Sequence, residues 1–91
     1  VGLLQVELTI PSADSLKAKR MVLRSLKDRI RKNFNVSIAE VDDNDLWQSA
    51  VLAVALVSND KRFANQVLSK VVDFIESSRD LVVDDYQLGF C

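Results

Sequence analysis

Histidine is absent from this chain of 91 residues, which removes the commonest general base and metal ligand near neutral pH. Cysteine occurs once, as Cys91, so neither a disulfide framework nor a cysteine zinc site is possible within one subunit. The only glycines are Gly2 and Gly89 and the only proline is Pro11. That is too little for a glycine-rich phosphate cradle or for the GXXG loop of a KH domain. No run approaches the roughly 18 consecutive apolar residues of a membrane span, and no charged segment precedes a cleavable apolar stretch. The chain is therefore expected to be soluble and cytoplasmic, with no membrane partner. It opens on Val1 rather than methionine, so terminal residues are expected to be missing from it.

What the sequence does contain is apolar residues, 48% of the total, enough for a single domain over residues 1–91 with a modest core and little to spare. The net charge of −1 conceals a strong asymmetry. Residues 17–32 hold eight basic side chains and one acid, a net +7, and the remainder sums to −8. A molecule so divided can meet an anionic partner through one face while repelling it through the others, or it can pair with a copy of itself.

The basic residues lie on a predicted helix over 15–32. At about 100° per residue, Leu16, Leu23, Leu26 and Ile30, with Val22 at the margin, fall on one face that must be buried. Lys17, Arg20, Arg24, Lys27 and Arg31, spaced alternately three and four apart, form a stripe beside it. Ser15 supplies an N-cap, but Ala18 stands where a capping box would use Glu or Gln. A charged stripe of this kind is often only a solvated face. Here, however, Asp28 is the sole acid on the helix, so i,i+4 pairing is almost absent. Lys17, Lys19 and Arg20 also sit in the first turns, where the helix dipole disfavours cations by a few tenths to about 1 kcal/mol. Basic side chains around free amides make a potential anion site there. The direction of Lys19 falls inside the apolar arc, so its amine must either snorkel or find an acidic partner from the loop at 40–45.

Alternation from Val1 to Ile10 predicts a strand with Leu4, Val6, Leu8 and Ile10 on its buried face. Residues 35–42 form a second strand, with Val36 and Ile38 on one face and Ala39 and Val41 on the other. Residues 49–58 form a third, apolar on both faces and therefore central in the sheet. A second helix, capped by Asn59 or Asp60, runs from Lys61 to about Ser78 and buries Phe63, Val67, Val71 and Phe74 with Ala64, Leu68 and Ile75. The last strand, 81–90, turns Tyr86, Leu88 and Phe90 to the core. The order βαββαβ, with right-handed crossovers, gives an α+β, ferredoxin-like sandwich: a four-stranded antiparallel sheet, order 4-1-3-2, with both helices on one face.

That architecture serves many functions, so each surface has to be read separately. The outward rows of strands one and three, Leu3, Gln5, Glu7, Thr9 and Val51, Ala53, Ala55, Val57, lack the stacking aromatics of an RRM. The second row suits close packing on a second subunit, with Trp47 as a lid at the seam, unless neighbouring side chains cover it within the monomer. Glu40, Asp42, Asp43 and Asp45 could offer oxygen ligands but do not follow the EF-hand spacing, and a solvated loop is expected, with no metal. The first βα loop, Pro11 to Asp14, lacks the arginine and glycines of an acylphosphatase-type cradle. With no positioned nucleophile and base, the protein is expected to be neither an enzyme nor a cofactor binder.

The stretches Ser15-Leu16-Lys17-Ala18-Lys19-Arg20, Phe34-Asn35-Val36-Ser37, Ala39-Glu40 and Asp45-Leu46-Trp47-Gln48 resemble the YlxP-like family of small bacterial proteins of unknown function, and a weaker likeness extends over the whole chain. The resemblance implies a ferredoxin-like fold, a bacterial cytoplasmic protein, and Glu as a common residue where Ala18 stands here. It also suggests a link to translation or ribosome maturation by association, and brings no catalytic residues with it. The resulting expectation is a non-enzymatic RNA- or ribosome-associated protein whose Lys17, Arg20, Arg24, Lys27 and Arg31, helped by Lys19, contact phosphates. The alternative is a homo-oligomeric interaction module, a homodimer in its simplest form, whose basic helix meets an acidic partner surface.

Overall fold

A computed structural model, which describes residues 1–42 and 45–91, begins with β1 (Gly2–Thr9), where even-numbered side chains are buried and odd-numbered ones face outward. The chain then forms α1 (Leu16–Asn33), β2 (Ser37–Asp42), β3 (Ser49–Leu56), α2 (Lys61–Glu76) and β4 (Val82–Phe90). The four strands make one antiparallel sheet in the order β2-β3-β1-β4, the arrangement expected from the sequence. Leu4, Val6 and Leu8 of β1, Leu52 and Val54 of β3, Leu23, Leu26 and Ile30 of α1, and Leu68, Val71 and Ile75 of α2 belong to one buried cluster. Both helices therefore cover the same face of the sheet.

The helix starts follow the local chemistry. Ser15 Oγ accepts from the Ala18 amide at 3.0 Å, and Asp60 Oδ1 accepts from Arg62 and Phe63 at 2.9 and 3.3 Å. With Ala18 unable to return a side-chain bond, Ser15 is the whole of the α1 cap. Ser15→Ala is expected to cost about 1 kcal/mol, read as a lower urea midpoint at unchanged slope. No glycine ends α1. Phe34 leaves the helix extended while its amide still donates to Ile30 O at 2.8 Å. Its ring then meets Phe74 of α2 edge-on, with centroids 5.8 Å apart.

Gly2 sits in close packing beneath α2. A Cβ at that position would lie 2.9 Å from Leu68 Cδ1 and 3.4 Å from Ala64 Cβ, so the absence of a side chain lets α2 settle against the start of β1.

Several boundaries differ from the sequence reading. β2 begins two residues later than expected, because the Val36 amide turns back to Phe34 O at 3.0 Å. β3 stops at Leu56, and Ser58 is drawn into the α2 cap, where its hydroxyl accepts from the Asp60 amide at 3.1 Å. Two register shifts also appear. One falls between Glu40 and Asp42, opposite Leu52 and Val51, leaving Val41 as an extra residue. The other falls opposite Glu7 and Leu8 and leaves Asp84 extra. Tyr86, Leu88 and Phe90 do pair with the core-facing residues Val6, Leu4 and Gly2. However, β4 is an edge strand and α2 covers it incompletely, so Tyr86 and Phe90 are exposed and only Leu88 is half-buried.

Candidate nucleic-acid interface

α1 lies alongside the open edge of the sheet formed by β2. On that side Arg20, Arg24, Lys27 and Arg31 line one groove of about 350 Å³, together with Leu23, Asp28 and Glu40. Four of the five stripe residues are thus brought together. Lys17, exposed in the first turn, is not among the residues lining the groove. Arg20 and Arg24 are exposed and Lys27 is half-buried.

Arg31 has a local role as well. Its Nη2 donates to Ile38 O at 3.1 Å, and its Nη1 stands 3.6 Å from Asp28 Oδ1. The first contact covers a carbonyl of the β2 edge, where an unpaired strand would otherwise offer its backbone to another chain.

Lys19 has to be reassigned. It was expected to help the stripe contact phosphate, but it is only 1% exposed and cannot do so. Its Nζ lies 2.9 Å from Glu40 Oε2 and donates to Leu46 O at 2.7 Å. Of the two alternatives for Lys19, the structure shows an acidic partner in Glu40, which shares the helix-facing side of β2 with Ile38. The unfavourable placement of Lys19 near the helix N-terminus is offset by an internal ion pair, so for this residue no external ligand is needed to explain it.

The two acids lining the groove each sit against a cation, Glu40 against Lys19 and Asp28 against Arg31. Arg20, Arg24 and Lys27 consequently set the sign of the groove.

At the α1 N-terminal end, the connection into β3 is tied to the connection out of β1. Ile10 N donates to Gln48 O at 2.8 Å, and Gln48 Nε2 donates to Pro11 O and Ala13 O at 3.1 and 3.3 Å. In the first βα loop these carbonyls are turned to Gln48, so their acceptors are engaged. Trp47 is 54% exposed in the single protomer. Of the expected interface row, Val51 is covered within the protomer at 6% exposure, Ala53 and Ala55 are half-buried, and Val57 lies past the end of β3 at 84% exposure. Val51, paired with Glu7 of β1 and Asp42 of β2, is thus withdrawn from the surface.

The acidic set splits in the same way. Glu40 is committed to Lys19, Asp42 and Asp45 are exposed, and Asp43 lies outside the described residues. Among the described residues, no group of three or more His, Cys, Asp or Glu side chains is placed to hold a metal ion, and no helix is long and apolar enough to cross a membrane.

The sheet and groove define a small ferredoxin-like α+β protein with one cationic flank. The chain belongs to the family described as protein of unknown function (DUF503), whose model matches residues 1–88. It is also 38% identical over 77 residues, 85% of this chain and 84% of the relative, to the uncharacterized protein YlxP of Bacillus subtilis (strain 168). The family expected from residues 15–58 is therefore the one found.

Proposed function

We propose that this protein is a non-enzymatic RNA- or ribosome-associated factor that lays the α1 groove along a phosphate backbone. The observation that carries this reading is the convergence of Arg20, Arg24, Lys27 and Arg31 on one groove, in a molecule whose remaining surface is net acidic. Phosphate contacts of this kind position a nucleic acid without reading its bases. The test is binding of the protein, beside Arg20→Glu/Arg24→Glu, to purified ribosomal subunits and ribosomal RNA across a salt series. Salt-sensitive binding that disappears in the variant supports the reading, and no binding at low salt overturns it.

A second reading, a homo-oligomeric interaction module and in its simplest form a homodimer, is favoured by the outer face of the sheet. There Leu3, Val41 and the half-buried Ala53 and Ala55 lie uncovered by any described element, with acidic Glu7 and Asp85 paired across β1 and β4. An acidic face on one copy could meet the basic α1 of another. Light scattering at high concentration tests this, and a strict monomer removes it.

A further inference from the structure

This inference rests on the phosphate-contact reading above and narrows it. We infer that the groove takes a single-stranded RNA segment, and that Trp47 stacks one of its bases at the end of the groove marked by Arg20.

The placement comes from the backbone. α1 runs antiparallel to β1 and β2, so its first turns and the connection from β2 to β3 share one end of the sheet. There the residues on either side of Trp47 are both held. Leu46 O accepts from buried Lys19, the immediate neighbour of Arg20 on α1, and Gln48 is bonded through its carbonyl to Ile10 and through its side chain to Pro11 and Ala13. Between these two anchors the indole is 54% exposed. A large aromatic surface is therefore presented to solvent from a fixed backbone, and little ordering is left to be done when a flat partner arrives.

The ligand class follows from combining the two features. A cationic groove tracks a backbone whatever its sequence, and an aromatic face at its end takes a base, because every base has a π-face. A duplex supplies the first partner but not the second, since its bases are stacked and A-form RNA hides their faces. From Arg20 to Arg31 the groove spans about 16 Å at the rise of an α-helix, a stretch for a few phosphates rather than a broad surface for a duplex. Exposed Asp45, two residues before Trp47, disfavours phosphate at that end and leaves the position to a base.

Trp47 is the only tryptophan, so intrinsic fluorescence reads this one site. The experiment titrates the full chain at low salt with a single-stranded RNA of about twelve nucleotides, within the range of known single-strand sites, and with the same strand annealed to its complement. The expected result is quenching by the single strand, a weaker affinity for the duplex, and a loss of single-strand affinity of about 5- to 150-fold in Trp47→Ala, largely restored in Trp47→Phe. Binding that is lost in Arg20→Glu/Arg24→Glu, but leaves the fluorescence unchanged and is equal in Trp47→Ala, overturns the stacking role and spares the phosphate reading. Equal affinity for single strand and duplex overturns the ligand class. Absence of RNA binding by the unaltered protein at low salt removes the phosphate reading, and the stacking with it.

Discussion

Lys19→Ala is expected to lower the stability by about 3 kcal/mol, and by up to about 5 if the site cannot rehydrate, because removing one partner of a buried ion pair strands the other. Glu40 Oε2 is shut off from solvent and lies 2.9 Å from the amine without a well-aligned hydrogen bond, so its charge is compensated chiefly by proximity. The Glu40 side chain retains 19% exposure, which argues for the lower end of the range. A loss of this size is a large part of the 5–15 kcal/mol typical of a whole domain, and at this length it lowers Tm by roughly 12–24 °C. Lys19→Met/Glu40→Leu should recover most of the loss, since apolar replacement of both partners is commonly neutral or stabilising. A thermal melt of the three proteins decides the matter, and equal loss in the double variant would show that packing rather than stranded charge was responsible. Because Lys19 also holds Leu46 O at 2.7 Å, the single variant should additionally release the amides at 46–48 to faster hydrogen exchange.

Arg20→Glu/Arg24→Glu should abolish RNA binding while leaving the fold intact. Both side chains are exposed and neither makes a described hydrogen bond or ion pair, so their reversal is expected to change stability by no more than about 0.5 kcal/mol each. Their effect on the groove is far larger, because with Asp28 and Glu40 already set against cations the free positive charge is mainly Arg20, Arg24 and Lys27. If three or four phosphates are engaged, the logarithm of the affinity should fall by about 2 to 4 units per tenfold rise in salt. Arg31 is the wrong residue for this experiment, since its bond to Ile38 O would confound a binding defect with damage to the β2 edge. Binding that survives the double reversal with its salt slope unchanged would rule out the groove as the contact.

Much of the architecture was legible because it rests on periodicity and local chemistry. Leu23, Leu26 and Ile30 recur at helical spacing, Leu4, Val6 and Leu8 alternate, and β3, apolar on both faces, is one of the two interior strands of the sheet. Ser15 was readable as a cap from residue type alone. The basic stripe could be drawn on a helix for the same reason. The bulges at Val41 and Asp84 left no trace in the pattern, since one extra residue depends on how two strands meet rather than on either strand by itself. The exposure of Tyr86 and Phe90 was hidden likewise, because alternation names the face of a strand but not how far a neighbouring helix reaches over its edge.

The sequence by itself determined that α1 carries a line of cations and that Lys19 points into an apolar arc, because both follow from the angular spacing of residues on a helix. Only the tertiary structure decided that Lys19 belongs to the interior with Glu40, that Arg31 covers the β2 edge, and that Trp47 stands exposed between two fixed neighbours. Each of those outcomes depends on residues from different elements arriving at one place, and a one-dimensional pattern does not contain the distance between them.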